Sequence, residues 1–403
     1  MNNLPILPEL TDARIAEVSR AAGEPEWLIE RREAAWRFFA ESVPPFWRRT
    51  DLSKFKPELI VAPIGAQGTT TQWDAGLAEK GVVFTTLAAA LHSHEALVKR
   101  YLGTAVEPLA HKFNALHAAL WQDGVFLYVP KDVQIDLPLL ASFSLGANGL
   151  SIFPHNLVIL ERGASLTFVE EYSSRDVDEQ AFAAPATEIF LGDGASVRYI
   201  TNQSWGRGVY TIGAQTASVG NDASLEWVAL NLGGRLQHIE AETLLVGNGA
   251  RVDWIASTFA GTGQTLLTAP TLRHVGANTE AHMDFKTVVT GDGYTVFDGM
   301  IKIEKPSRAT ISRLEDHALH LSDKSRSDSI PGLKIDTNDV QRAGHASTSG
   351  QIDEEQLFYM LSRGIRRDEA IHMIVMGFFE PVLDRIPLEA LRERATATIE
   401  GKI

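Results

Sequence analysis

The sequence predicts a mainly β protein with a right-handed parallel β-helix core flanked by amino- and carboxy-terminal α-helical subdomains. Three observations lead to this prediction. Helical patterns are confined to the two ends of the chain, short strand-like segments separated by Gly, Asn and Asp fill the middle, and one phrase recurs there at a nearly constant interval. We therefore divide the chain into a helical and mixed subdomain over 1–149, a β-helix core over 150–350 and a helical subdomain over 351–403.

The amino-terminal subdomain begins with two predicted helices. Thr11 or Asp12 can cap a first helix that runs through Ala22. Residues 24–42 carry tryptophan, leucine and phenylalanine at helical spacing, and the proline pair that follows ends this second helix. Two further helices are predicted among short apolar strands, over 87–101 and 105–120.

The recurring phrase of the core contains a shared alanine. Its copies read ERGASLTF, GDGASVRY, GNDASLEW, GNGARVDW and, in degraded form, VGANTEAHMDF. The alanines are Ala164, Ala195, Ala223, Ala250 and Ala277, at intervals of 31, 28, 27 and 27 residues. Such a period in a strand-rich segment is typical of a solenoid, and one repeat has room for two coils of a parallel β-helix. A run of hairpins in a β-sandwich uses the same turn residues and is the alternative.

Helical spacing returns at Asp353, which can cap a helix that ends after Ser362. Asp368 can cap a second helix to about Leu383, and a third follows Pro387. The second helix carries more apolar residues than one buried stripe requires: Ala370, Ile371, Met373, Ile374, Met376, Gly377 and Phe378. This surplus indicates either a core helix or a surface shared between the β-region and another protein.

Composition restricts the function. The net charge of −14 and the pI near 5.4 argue against nucleic acid as a partner. The longest apolar runs, such as 157–160, are far shorter than the ~20 residues that cross a bilayer, and the amino terminus lacks the pattern of a secretion signal, so we expect a cytoplasmic protein away from the membrane. The chain of 403 residues has no cysteine, which excludes disulfides, cysteine nucleophiles and thiolate-held clusters formed by this chain alone.

Common catalytic motifs are missing from the sequence. There is no Walker A loop, no complete GxGxxG after a strand, no GxSxG and no HExxH. A parallel β-helix can nevertheless be an enzyme, so the alternative function is a cytosolic β-helix enzyme acting on a carbohydrate or acyl donor. Its acid and base are solenoid-face carboxylates such as Asp284 and Asp292, although a turn is the favoured role of Asp292.

Two histidine pairs are candidate metal ligands. His92 and His94 lie in a predicted helix, where a surface or capping role is favoured over metal binding. His317 and His320 share a face only in a helix, and in a strand they point to opposite faces. We therefore interpret the segment 315–320 as a solvated edge.

His345 has a different setting. It lies among small residues where the β-region meets the first carboxy-terminal helix, and Gly344 and Ala346 leave room for backbone or a ligand to approach. From the residues alone, a hydrogen-bonded structural role is favoured over a functional one.

The segment from Pro331, PGLKIDTNDVQRAGHASTSGQIDEEQLFYMLSRGIRRDEAIHMIVMGFF, resembles the carboxy-terminal signature of the SufB/SufD family of iron–sulfur cluster assembly proteins. Upstream, EPEWLIERREAAWRFF from Glu24, the WRRTDL phrase from Trp47 and the FDGMI phrase from Phe297 are similar to family segments, so the resemblance spans the whole chain. The family fold is a parallel β-helix between helical subdomains. Because SufB members carry cysteines, a chain without cysteine resembles the SufD branch.

The resemblance implies a non-catalytic scaffold. In the family, SufB and SufD pair through their β-helices, and each docks a SufC ATPase through its carboxy-terminal helices. The implied partners are a SufB-like paralogue and a SufC-like ATPase, with a homodimer left open when the chain is alone. The implied cofactor is iron or an iron–sulfur cluster held transiently in the complex, with none bound stably by the isolated chain.

The resemblance also assigns candidate site residues. His345 matches the family histidine at the heterodimer interface, which favours a functional role as a nitrogen ligand to a metal shared with the partner, or as a proton-transfer group. Some SufD proteins have a cysteine two positions earlier, where this chain has Ala343, so a thiolate from this chain is not expected. The candidates for SufC docking are Tyr359, Arg363, Gly364, Ile371, Ile374 and Phe378.

Overall fold

The computed structural model describes residues 10–61, 70–122, 124–145 and 150–403. Elements are numbered along the chain. Five helices lie in the amino-terminal part: α1 (Asp12–Ala21), α2 (Glu26–Glu41), α3 (Leu87–Ser93), α4 (Glu95–Tyr101) and α5 (Lys112–Leu120). Three helices follow the last strand: α6 (Glu354–Ser362), α7 (Arg367–Leu383) and α8 (Glu389–Glu400).

The strands form two sheets. The first sheet contains, in order, β1 (Thr70–Gln72), β4 (Leu139–Leu145), β7 (Ser165–Ser174), β10 (Ser196–Ser204), β12 (Ser224–Asn231), β14 (Arg251–Ala260), β16 (Glu280–Val289), β19 (Thr310–His320) and β22 (Val340–Gln351). The second contains β2 (Val83–Thr86), β3 (Val125–Val129), β5 (Ser151–Ile152), β6 (His155–Leu160), β8 (Ala181–Ala183), β9 (Ala186–Leu191), β11 (Val209–Val219), β13 (Leu236–Leu245), β15 (Thr265–His274), β17 (Tyr294–Phe297), β18 (Met300–Ile303), β20 (Arg326–Ser329) and β21 (Gly332–Ile335).

The two sheets are the walls of a parallel β-solenoid of about eight turns, so the predicted β-helix is confirmed and the β-sandwich is wrong. The expectation of two coils per repeat is also wrong. Each repeat supplies one strand to each sheet and therefore makes one turn, as β12 and β13 do. The strands are long enough that a single coil uses the whole repeat.

The shared alanine of each repeat is buried at the turn that precedes a strand of the first sheet, where only a small side chain fits. Strand register gives the equivalent positions as Ala164, Ala195, Ala223, Ala250, Thr279 and Thr310, all at most 1% exposed. The fifth copy is therefore centred on Thr279 and not on Ala277. Its turn is two residues longer, which the alanine spacing conceals.

The aromatic residue that ends each phrase points into the solenoid. In register, Phe168, Tyr199, Trp227 and Trp254 follow one another from turn to turn. Phe168 stacks on Tyr199, Tyr199 meets Trp227 edge to face, and the two tryptophan rings stack with centroids 4.3 Å apart. The column continues through the buried Met283 and Leu314 to His345. Large rings fill the space between the two sheets, so this column is the main source of burial in the core.

Helices cover the outer face of each sheet. Those of the amino-terminal part pack against the second sheet, and α7 and α8 pack against the first, where Val228, Ile255 and Val288 meet Val375 and Phe379. Strands covered on both faces lose the polar alternation of exposed strands, which is why β6 is buried throughout.

The helix predictions are largely confirmed. Thr11 caps α1 by accepting a hydrogen bond from the Arg14 backbone amide. The helix expected over 87–101 is two helices that break at His94, and the one expected over 105–120 is confined to α5. Asp353 caps α6 as predicted, whereas α7 begins before Asp368 because Arg366 forms the cap with Glu369.

The WRRTDL phrase, residues 47–52, anchors the amino-terminal part to the second sheet through side-chain contacts. The Trp47 ring stacks on His238 with centroids 3.7 Å apart, and its indole nitrogen donates to Glu240 at 3.1 Å. The Thr50 hydroxyl lies 2.7 Å from the His238 ring, and Arg49 pairs with Asp328 at 3.1 Å. These contacts to two different turns, at β13 and at β20, fix the segment along the solenoid.

Candidate functional site

The last strand of the solenoid is exposed along its whole length. β22 has 12 residues, none of them buried, and it pairs only with β19. No strand within the described ranges lies against its outer edge, so alternate backbone amide and carbonyl groups face solvent there. In the second sheet β20 and β21 end the order in the same way. Both walls are therefore open at the carboxy-terminal end, which we call the rim.

His345 lies on this rim as the last member of the interior column. Its register partner Leu314 is 0% exposed, whereas His345 is exposed because no further turn covers it. The His345 ring makes no hydrogen bond to any residue that the structure describes. A side chain added at the neighbouring Gly344 meets no atom within 4 Å. The sequence placed His345 among small residues, and the structure adds that these residues face open space.

A polar layer lies directly inside His345. Asp316 on β19 is 1% exposed, although the segment 315–320 was expected to be a solvated edge. That expectation is wrong because β19 is paired on both sides, with β16 and β22. Burial raises the pKa of Asp316 to about 6, and the nearby Ser329 partly offsets this rise while Asp284 adds to it.

The alternating pattern of β19 predicts this polar layer from the sequence. In β19 the buried residues alternate from Ser312 through Leu314 and Asp316 to Ala318, which is the period of a strand with one face inside. Reading that period places Asp316 on the inward face. The sequence prediction omitted Asp316 because the segment was interpreted from its histidines.

The other histidines have structural partners. His94 stacks on Phe126 at 5.7 Å and lies 2.8 Å from the Ser93 hydroxyl, in agreement with a capping position between α3 and α4. His317 lies 2.7 Å from the Thr348 hydroxyl, and His320 bridges Ser325 and Ser349. Within the part of the chain that the structure covers, no group of three or more His, Asp or Glu side chains is arranged to hold a metal ion.

The candidate docking residues on the carboxy-terminal helices separate into two groups. Tyr359 is 59% exposed, and the Arg363 guanidinium lies over its ring at 5.1 Å, just before Gly364 ends α6 with a φ of 86°. Ile371 and Phe378 instead pack partly against the first sheet, and Ile374 is half-buried. The predicted docking candidates did not include Phe358 and Met373, which are 71% and 54% exposed.

The carboxylates of the enzyme alternative do not form a pair. Asp284 lies within β16 and pairs with Lys286 at 3.5 Å. Asp292 lies in the turn after that strand and accepts a hydrogen bond from the Gly263 backbone amide at 2.7 Å. Both therefore have local structural partners.

No helix in the described ranges is long and apolar enough to span a membrane.

The fold and the site define a parallel β-solenoid protein whose carboxy-terminal rim is open. The family model described as the SUF system FeS cluster assembly, SufBD core domain, matches residues 143–378, and the model of the SufBD protein N-terminal region matches residues 66–140. The chain is also similar to iron–sulfur cluster assembly SufBD family proteins of Staphylococcus haemolyticus, Staphylococcus saprophyticus and Staphylococcus epidermidis. Each is 30% identical over 94% of this chain and 90% of its own length. The chain belongs to the SufBD family of iron–sulfur cluster assembly proteins, which confirms the family resemblance.

Proposed function

We propose that this chain is a SufD-type, non-catalytic scaffold subunit of the cytoplasmic SUF complex. It pairs with a SufB-like paralogue through the rim and docks a SufC-like ATPase through its carboxy-terminal helices, and iron–sulfur clusters are assembled at the paired rims. The observation that carries the proposal is the unpaired edge of β22, with His345 at the end of the interior column.

The exposed edge favours a partner that is itself a solenoid. A 12-residue edge with free amides and carbonyls is a template for strand addition, and soluble proteins normally protect such edges. A paralogue with the same fold has a matching rim, so pairing rim to rim satisfies the backbone groups of both chains. A second copy of this chain offers the same complement, which accounts for a homodimer when the paralogue is absent.

Because this chain has no cysteine, the two partners contribute different ligands to the cluster. A chain with no cysteine supplies no thiolate, so the sulfur ligands of a nascent cluster come from the paralogue. This chain supplies the His345 imidazole, whose ring is free and faces the partner, and iron is cargo that leaves with the finished cluster. This division of labour predicts that the isolated chain holds no iron–sulfur cluster stably.

Docking of the ATPase uses the exposed group on the carboxy-terminal helices. Phe358 and Tyr359 on α6 and Met373 on α7 are exposed large apolar side chains, and Arg363 and Gly364 follow them at the end of α6. Ile371 and Phe378 pack partly against the first sheet, so they support the helices and couple movement of the ATPase to the solenoid.

Co-purification with the SufB-like and SufC-like chains tests the proposal. A Cβ atom added at Gly344 or at Gly350 meets no atom within 4 Å, so the double variant Gly344→Lys and Gly350→Lys should fold normally and still prevent close approach of a second edge. We expect it to lose the paralogue and keep the ATPase. The matched control Gly377→Lys, at an equally open position on α7, should keep the paralogue.

The role of His345 is measured in the same complex. His345→Ala should preserve all three chains and lower the iron and sulfide content several-fold. Equal cluster content in wild type and variant means that His345 is structural. If the wild-type chain captures neither partner, the scaffold function is wrong.

A further inference from the structure

A second interior column runs beside the aromatic one and contains two acids. In register it consists of Glu170, Thr201, Ala229, Ala256, Phe285, Asp316 and Ser347. Asp316 therefore lies one layer inside the rim residue Ser347. It is also diagonal to His345 on the adjacent strand, a relation that places two side chains about 7–8 Å apart at their backbones.

The two acids of this column have opposite surroundings. Glu170 accepts hydrogen bonds from the hydroxyls of Tyr199 at 2.7 Å, Tyr172 at 2.9 Å and Thr187 at 3.2 Å. Asp316 is equally buried, yet neither of its carboxylate oxygens makes a hydrogen bond within 3.5 Å to the described residues, and Ser329 is the one donor near enough to lower its pKa. A buried carboxylate with so few donors destabilises a fold unless a proton or a bound ligand neutralises it.

The surroundings of Asp316 indicate what that ligand is. No lysine or arginine of the described ranges is within ion-pair distance of it. Ser329 and Ser347 lie near it with their hydroxyls hydrogen-bonded to each other at 2.8 Å, Asp284 is near enough to raise its pKa, and the free ring of His345 lies just outside. Asp316 lies one layer inside the exposed rim, where a small cation needs far less space than the long basic side chain of a partner.

We propose that Asp316 is an internal carboxylate ligand for a divalent metal cation that enters at the rim, with His345 as the second side chain. Imidazole is a ligand that Fe²⁺ accepts, and carboxylate is a ligand that Mn²⁺ prefers, so this donor pair is compatible with either ion. The chain alone offers fewer than three such ligands, so solvent or the partner completes the coordination. This inference rests on the proposed function and deepens it, because it names where the cargo iron is held before thiolates take it.

Mn²⁺ binding to the full-length isolated chain tests the inference, with the free ion followed by electron paramagnetic resonance. We expect wild type to bind Mn²⁺ and Asp316→Asn to bind at least tenfold more weakly. The matched control is Glu170→Gln, which removes the other acid of the same column and should leave Mn²⁺ binding unchanged. Asp316→Ser repeats the measurement with a second side chain in case the asparagine variant folds poorly.

Thermal unfolding gives an independent readout. Mn²⁺ should raise the unfolding temperature of wild type and of Glu170→Gln, and should not change that of Asp316→Asn, because only a bound ion stabilises the native state. If wild type binds no Mn²⁺, or if Asp316→Asn binds it as well as wild type does, the inference is wrong.

Failure of the inference is distinguishable from failure of the proposed function. Asp316→Asn changes no exposed atom of the rim, so it should still pair with the SufB-like chain. Pairing without Mn²⁺ binding overturns only the inference. Mn²⁺ binding through Asp316 in a chain that captures no paralogue overturns only the proposed function.

Discussion

The two ends of the solenoid differ, because one is capped and the other is open. At the amino-terminal end the first strands reverse direction: β1 runs antiparallel to β4, and β2 runs antiparallel to β3. Trp73 and Phe84 then cover the aromatic column with edge-to-face contacts that end on Phe168. At the other end the column stops at the exposed His345. One sequence thus provides a cap for one end and leaves the other end open.

The largest expected effect is a difference in the loss of unfolding free energy between a substitution in the middle of the aromatic column and one at its open end. Trp227 is 1% exposed and stacks on Trp254, so Trp227→Ala should lower the free energy of unfolding by about 3–5 kcal/mol. His345→Ala, in the same column, should change it by less than about 0.5 kcal/mol because no turn packs on it. Urea unfolding followed by circular dichroism measures both. Equal losses would make His345 a core residue and the open rim a misinterpretation.

The next effect depends on pH and concerns Glu170, the acid near the capped end that accepts hydrogen bonds from neighbouring hydroxyl groups. Burial raises its pKa from 4.5 to about 7, although hydrogen bonds from Tyr199, Tyr172 and Thr187 oppose this rise. The group therefore adds stability below pH 4.5 that is lost as the pH rises through about 7. Relative to Glu170→Gln, wild type should lose about 3 kcal/mol between these pH values.

Urea unfolding at several pH values measures this difference. Glu280→Gln, which removes an exposed acid of the first sheet, is the control and should follow wild type. Parallel pH profiles for wild type and Glu170→Gln would show that Glu170 titrates as it does in the unfolded chain.

A smaller effect concerns the ion pairs that join the end of α7 to the middle of the first sheet. Arg385, after α7, contacts Glu226 at 2.6 Å and Asp253 at 2.7 Å on the first sheet. The Arg385 side chain is 38% exposed, so Arg385→Ala should cost about 1 kcal/mol, and less in high salt. Unfolding at low and high salt measures the cost. Arg207→Ala, at a pair with Asp176 in which the arginine side chain is 79% exposed, is the control and should have a much smaller effect.

Much of this architecture is predictable from the sequence because a solenoid repeats its local chemistry. The turn glycines, the buried small residue and the terminal aromatic of each phrase recur with the period of one turn, and capping residues such as Asp353 mark the helices. The number of coils per repeat was mispredicted because period alone does not give strand length. The offset at Thr279 shows that a lengthened turn conceals the register.

The site was less predictable than the fold. His345 was found through its small neighbours and the family signature, whereas its place at the end of the interior column follows only from strand register. Asp316 was missed because burial of a charged residue contradicts the usual preference, and because its missing partners become evident only when the surrounding atoms are placed. Exposure of Tyr359 and packing of Phe378 likewise depend on how α7 lies on the first sheet.

Hydrogen–deuterium exchange of the chain alone and with its SufB-like paralogue tests the central claim most directly. The claim is that the rim is the surface that pairs. We expect the amides of β22 to exchange rapidly in the isolated chain and to become strongly protected in the complex, with no change at β1 and β2. Protection at the amino-terminal end, or β22 amides that exchange equally in both samples, would contradict the claim.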